Sequence, residues 1–75
     1  MKLVTLPTFA LKIGAKYATI ATWCNYKQGQ FNDRRKDQEF TYKMIQFVII
    51  DGKRFVDLSR TTLTKEIYTD LFSRG

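Results

Sequence analysis

The sequence predicts a small α+β domain. Three observations lead there. Two short segments with apolar faces flank Gly14, which suits two helices joined by a tight turn. Asp51-Gly52 separates two runs rich in β-branched and aromatic residues, which suits a hairpin. The end of the chain repeats Leu63, Ile67 and Leu71 every four residues, as one stripe of an amphipathic helix does.

In chain order, "MKLVTL" is a short apolar lead that suits an edge strand. Pro7 fits the first turn of a helix, where its missing N–H costs nothing. "PTFALKI" places Phe9, Ala10 and Ile13 on one helical face. Gly14 is a good stop, since glycine takes left-handed φ without penalty. "AKYATIATWCNYK" is then a second helix with Ala15, Ile20 and Trp23 inward and Thr19 and Cys24 flanking them. Its outer face holds Lys16, Tyr17, Ala21, Thr22 and Asn25. "QGQFNDRRKDQE" is polar, carries the basic run Arg34-Arg35-Lys36, and reads as an exposed loop. "FTYKMIQFVII" and "KRFVDLS" are the two arms of the hairpin. Ser59 is a candidate N-cap for the closing helix. No internal repeat is visible.

The stretch Lys12–Trp23 also admits a strand drawing, with Tyr17, Thr19, Ala21 and Trp23 on one face. That drawing makes both faces half apolar and leaves Ala15, Ala18 and Ala21 unexplained, because alanine favours helices. Thr19, Ile20 and Thr22 pull weakly toward the strand.

At 75 residues the expectation is one domain, 1–75, with a core small enough to be marginally stable alone. A hydrophobic content of 44% is that of a folded chain. There are 13 Lys+Arg against 7 Asp+Glu, a net charge of +6. With a pI near 9.7 this suits a polyanionic partner such as nucleic acid or an anionic membrane surface, or else a soluble basic protein with no such partner. No Asp or Glu precedes Asp33, so the first half presents an unopposed positive field. Cys24 is the single cysteine, which rules out an internal disulfide and suits a reducing, cytoplasmic setting. With one Cys and no His, metal sites and Ser-His or Cys-His catalysis lose their usual groups, so no metal, cofactor or enzymatic role is expected. No apolar run approaches the ~20 residues that span a bilayer. "MKLVTLPTFALKIGA" is too broken by Pro7, Lys12 and Gly14 for a signal peptide.

Two short helices across a glycine turn, followed by a hairpin, describe a winged helix-turn-helix. The motif needs a small residue where the helices cross, and Ala10 is there. It needs a glycine four residues later, a branched apolar residue six beyond that and an apolar anchor three further on. Gly14, Ile20 and Trp23 meet these demands. "ALKIGAKYATIATW" resembles the opening of phage excisionases and related MerR/AlpA-like winged-helix proteins. Ala10, Gly14, Ala15, Thr19, Ile20 and Trp23 fit their pattern, while Lys16 stands where the family has a Ser or Thr cap. "VIIDGKRFVDLS" resembles their wing. The likeness covers about Phe9–Lys27 and Val48–Phe72. Small size and basic charge are similar to the Cox/Apl-type proteins of temperate phages, directionality factors that also repress transcription.

In this motif the second helix enters the major groove, N-terminal end first. Lys16, Tyr17 and Ala18 are then nearest the bases, with Thr19 beside them and Ala21, Thr22 and Asn25 further along. Lys16 suits guanine, the alanines and the Thr22 methyl suit thymine, and Asn25 suits adenine or phosphate. For Tyr17 and Tyr26 a base contact stands level with packing or a phosphate contact of the hydroxyl. Lys27 is counted among the DNA-binding residues, and the run Arg34-Arg35-Lys36 is either a set of backbone contacts or a solvated loop. Lys53 and Arg54 are expected at the wing tip, beside the minor groove or in solvent. Trp23 and Cys24 are expected in the core. The face of Leu63, Ile67, Leu71 and Phe72 either closes the core or joins a second copy head to tail. The resemblance implies double-stranded DNA and a phage integrase as partners, and homo-oligomers on repeated sites. A reading of another class is a small β-rich inhibitor of an acidic protein, with Lys12–Trp23 as a strand.

Overall fold

The computed structural model describes residues 2–29 and 37–72. Strand β1 (Leu3–Thr5) runs directly into helix α1 (Leu6–Ile13), and α2 (Tyr17–Gln28) follows a three-residue turn. Strands β2 (Gln38–Tyr42), β3 (Ile45–Ile50) and β4 (Lys53–Asp57) come next, then a single 3-10 turn at Leu58–Arg60 and helix α3 (Lys65–Phe72). All strand pairs are antiparallel, in the order β1-β4-β3-β2. The chain is thus a small α+β fold.

The helices start and stop where local chemistry directs. Thr5 caps α1 by accepting from Thr8 N at 3.4 Å, and Pro7 lies in the first turn. Gly14 ends α1 at φ 76°, and its N–H meets the carbonyls of Ala10 and Leu11. A Cβ there would have open space, so it is the left-handed backbone that calls for glycine. Lys12–Trp23 is therefore helical on both sides of Gly14, not extended.

One core lies between the helices and one face of the sheet. Leu6, Phe9, Ala10 and Ile13 of α1 and Ile20 and Cys24 of α2 meet Phe40, Ile45, Phe47, Ile49 and Val56 of the strands. The rings of Phe40 and Phe47, cross-strand partners, have centroids 5.4 Å apart. The other face buries Gln46 and Asp57 with their polar atoms satisfied. Gln46 accepts from Thr41 Oγ1 and donates to Glu39, which also pairs with Arg60 at 3.2 Å.

Three sequence expectations are corrected. The segment Gln28–Glu39 is not all loop, because Gln38 and Glu39 open β2. The run Phe40–Ile50 is not one strand. Lys43 and Met44 both take positive φ (52° and 67°), as in a type I′ turn, and fold it into β2 and β3. Ser59 does not cap α3. Its hydroxyl donates to Asp57 Oδ1 at 2.6 Å, and Thr64 occupies the cap, accepting from Ile67 N at 3.3 Å.

Asp57 ties the chain together. Its Oδ1 also accepts the backbone N–H groups of Lys2 (3.2 Å) and Ser59 (3.0 Å). The Ser59 hydroxyl bond, helped by those two N–H groups, outweighs burial and holds the carboxyl below its ordinary 3.8. A depressed folded-state pKa contributes stability above the unfolded value, and that contribution fades as pH falls through the folded one. The melting temperature should therefore drop as pH is lowered below about 3.8, and this acid-side drop should shrink in Asp57→Asn. An unchanged acid limb in that variant would show that Asp57 is not the group responsible.

Candidate nucleic-acid interface

Ile20 and Cys24 fix the rotation of α2, because both are fully buried. Trp23 and Ala15 pack partly buried against the same core. Lys16, Tyr17, Ala18, Thr22, Asn25 and Tyr26 are consequently exposed. Thr19 and Ala21 are half-buried at the margins of that face, whereas Lys27, seven residues after Ile20 and three after Cys24, is half-buried on the opposite, core-facing side of the helix and not on the face expected to meet DNA.

Lys16 is the N-cap of α2, with extended backbone and no side-chain capping bond. Its carbonyl receives Thr19 N at 3.0 Å, while its ammonium arm is exposed. It is thus an imperfect cap whose side chain is not spent on the helix. Thr22 turns its hydroxyl back on the helix, donating to Ala18 O at 2.7 Å.

Arg54 departs from its expected position. It lies on β4, opposite Ile49, and strand alternation puts it on the same face as buried Val56. Its side chain therefore reaches toward the helices and is half-buried, not displayed at the hairpin tip. One nitrogen donates to Asn25 Oδ1 and another to Tyr17 Oη at 3.3 Å. Tyr17 and Asn25 are eight residues apart, so the guanidinium lies along α2. Cys24 lies beneath this contact. Burial pushes its thiol pKa up, and the charge and hydrogen bond of Arg54 oppose that only in part. The thiol is accordingly neutral and inert.

The hairpin tip is less basic than expected. Lys53 is exposed there, but so is Asp51, whose N–H bonds Asp37 Oδ1 at 2.8 Å. Arg34 and Arg35 lie outside the described residues. Comparison with family models, curated proteins and solved structures finds no match.

The far flank of α2 holds a cluster that sequence reasoning missed. Tyr26 and Tyr42 pack with centroids 5.6 Å apart, and Lys43 Nζ lies 5.4 Å from the ring centres of both Trp23 and Tyr42. Tyr26 therefore packs on one ring while staying mostly exposed. The proposed oligomer face is divided. Leu63 is buried and closes the core, so it is not available to a second copy. Ile67 and Leu71 are exposed, and the Phe72 side chain lies outside the described residues. Among the described residues no helix is long and apolar enough to cross a membrane.

Proposed function

We propose that the chain is a non-catalytic, sequence-preferring protein for double-stranded DNA, built as a winged helix-turn-helix. In this reading α2 lies in the major groove and the β3–β4 hairpin is the wing beside it. The observation that carries it is the exposed face of α2. Its residues are not needed by the core, it bears no carboxylate, and Arg54 holds two of its side chains in place. Ala18 and Thr22 keep the centre of that face small enough to approach base edges. Lys16 at its N-terminal end and Arg54 along it supply cations for phosphates, and Lys53 at the hairpin tip adds a third in the wing; such contacts position the protein without reading sequence.

The likeness of Ala10–Trp23 to excisionases extends the proposal. Several copies bind repeated sites side by side, with Ile67 and Leu71 available for contact between neighbours. They shape an attachment-site arm for a phage integrase and occlude a promoter, in the cytoplasm of a bacterial host. The β-rich inhibitor reading loses its premise, because Lys12–Trp23 holds the end of one helix, a turn and the start of another, and no strand.

The test is binding to duplex DNA flanking the protein's own gene, followed by fluorescence anisotropy. Three cations on phosphates should give a log–log salt slope of about −2.7, so affinity should fall roughly 40-fold between about 50 and 200 mM salt. Absence of binding at the lower salt, or binding indifferent to salt, would sink the proposal.

A further inference from the structure

Two tyrosines mark the edges of the exposed half of α2. Tyr17 and Tyr26 are nine residues apart, which at about 100° per residue sets them about 180° apart around the helix. Ala18, Thr22 and Asn25 lie between them on the exposed side, and Ile20 and Cys24 lie between them on the buried side. Arg54 runs along the Tyr17 edge, bonded to Tyr17 and Asn25. The Tyr26 edge carries a second cation. Lys43 Nζ sits 5.4 Å from the ring centres of both Trp23 and Tyr42, and Tyr42 packs on Tyr26. The backbone beneath is fixed too, since the Met44 carbonyl receives the N–H groups of Thr62 at 2.9 Å and Leu63 at 3.1 Å. Lys43 takes φ 52°, which asparagine and glycine adopt more readily, so the turn itself does not call for a lysine. Nor does an ion pair, because among the described residues no carboxylate pairs with Lys43. The side chain is exposed, and a cation–π contact orders an ammonium without neutralising it.

A helix with its side chains is about 10–12 Å across, and the major groove is about 12 Å wide. A helix seated there therefore has each edge beside one of the two phosphate backbones. We propose, resting on the DNA reading above, that Lys43 is the phosphate contact at the second edge of α2, so that Arg54 and Lys43 grip opposite strands across the groove. The contact carries no base information of its own. What it sets is the roll of α2. A helix held at the Arg54 edge alone can pivot about that edge, whereas one held at both edges keeps Ala18, Thr22 and Asn25 turned toward the bases. Lys43 is in this sense a positioning residue, held ready by Trp23 and Tyr42 before DNA arrives.

Salt dependence and phosphate-ethylation interference on the same duplex test this, using the whole chain. The three cations counted above account for a roughly 40-fold loss of affinity between about 50 and 200 mM salt, and a fourth raises the loss to roughly 150-fold, at a slope of about −3.6. Lys43→Asn, which suits the positive φ, should return the loss to roughly 40-fold, and Lys43→Arg should keep it near roughly 150-fold. Ethylated phosphates should interfere with the wild type on both strands. Lys43→Asn and Arg54→Ala should each erase interference at a phosphate, on opposite strands. A lysine that only braces the Trp23 and Tyr42 rings would lower the melting temperature when replaced and leave slope and interference unchanged. Interference confined to one strand with the wild type, erasure on the same strand by both variants, or equal slopes for the wild type and Lys43→Asn overturns the inference and leaves the DNA reading standing. Absence of binding by the wild type at the lower salt overturns both.

Discussion

Replacing Ile20 with alanine should remove most of the stability of the fold. Ile20 is fully buried, one turn ahead of buried Cys24, in the core that holds α2 against α1 and the sheet. Truncating a buried isoleucine to alanine costs about 2–5 kcal/mol. A chain of 75 residues has only about 4–11 kcal/mol to lose. Urea denaturation should show the midpoint falling sharply with the slope unchanged. Ile20→Val, which keeps the branch and most of the volume, should cost about 1 kcal/mol. A midpoint that barely moves in Ile20→Ala would mean that α2 does not rest on the core through this residue.

Arg54→Ala should have the largest effect on DNA binding of any single change. It removes a cation and also releases Tyr17 and Asn25, so two readers lose their orientation with it. The expected loss is about 5- to 150-fold in affinity, the range for one good polar contact at a base. Stability should change far less, because the guanidinium is only half-buried and its partners are exposed side chains. Arg60→Ala is the matched control. Arg60 is a surface cation paired with Glu39, with 63% of its side chain exposed, and should leave DNA affinity unchanged. Equal losses from the two variants would mean that overall charge, and not the α2 face, governs binding.

Much of this was legible from residue pattern. Pro7, the Phe9, Ala10 and Ile13 face, and Gly14 each marked α1 correctly, because local propensity and core packing agree there. Asp51-Gly52 marked its turn for the same reason. The Lys43-Met44 turn was hidden, since neither residue type favours positive φ. A subtler trace did exist. The inward residues are Phe40 and Tyr42 before it and Ile45, Phe47 and Ile49 after it, so alternation slips phase across the turn. The four-residue stripe misled at Leu63, which is buried from the extended segment before α3 and not from the helix itself. Arg54 was misplaced by reading nearness to the turn and ignoring the alternation that links it to Val56. The bond to Asn25 spans 29 residues, and no sequence spacing encodes it.

The sheet order has a consequence for how the chain is made. β1 pairs with β4, and the Lys2–Asp57 bond that secures them spans 55 residues. During synthesis α1 and α2 therefore leave the ribosome long before the strands that cover Phe9, Ile13 and Ile20 exist. At ordinary elongation rates that interval is on the order of seconds. An apolar helix pair waits through it, and the domain closes only when its final strand arrives. Chaperones and proteases have their access to the new chain in that interval.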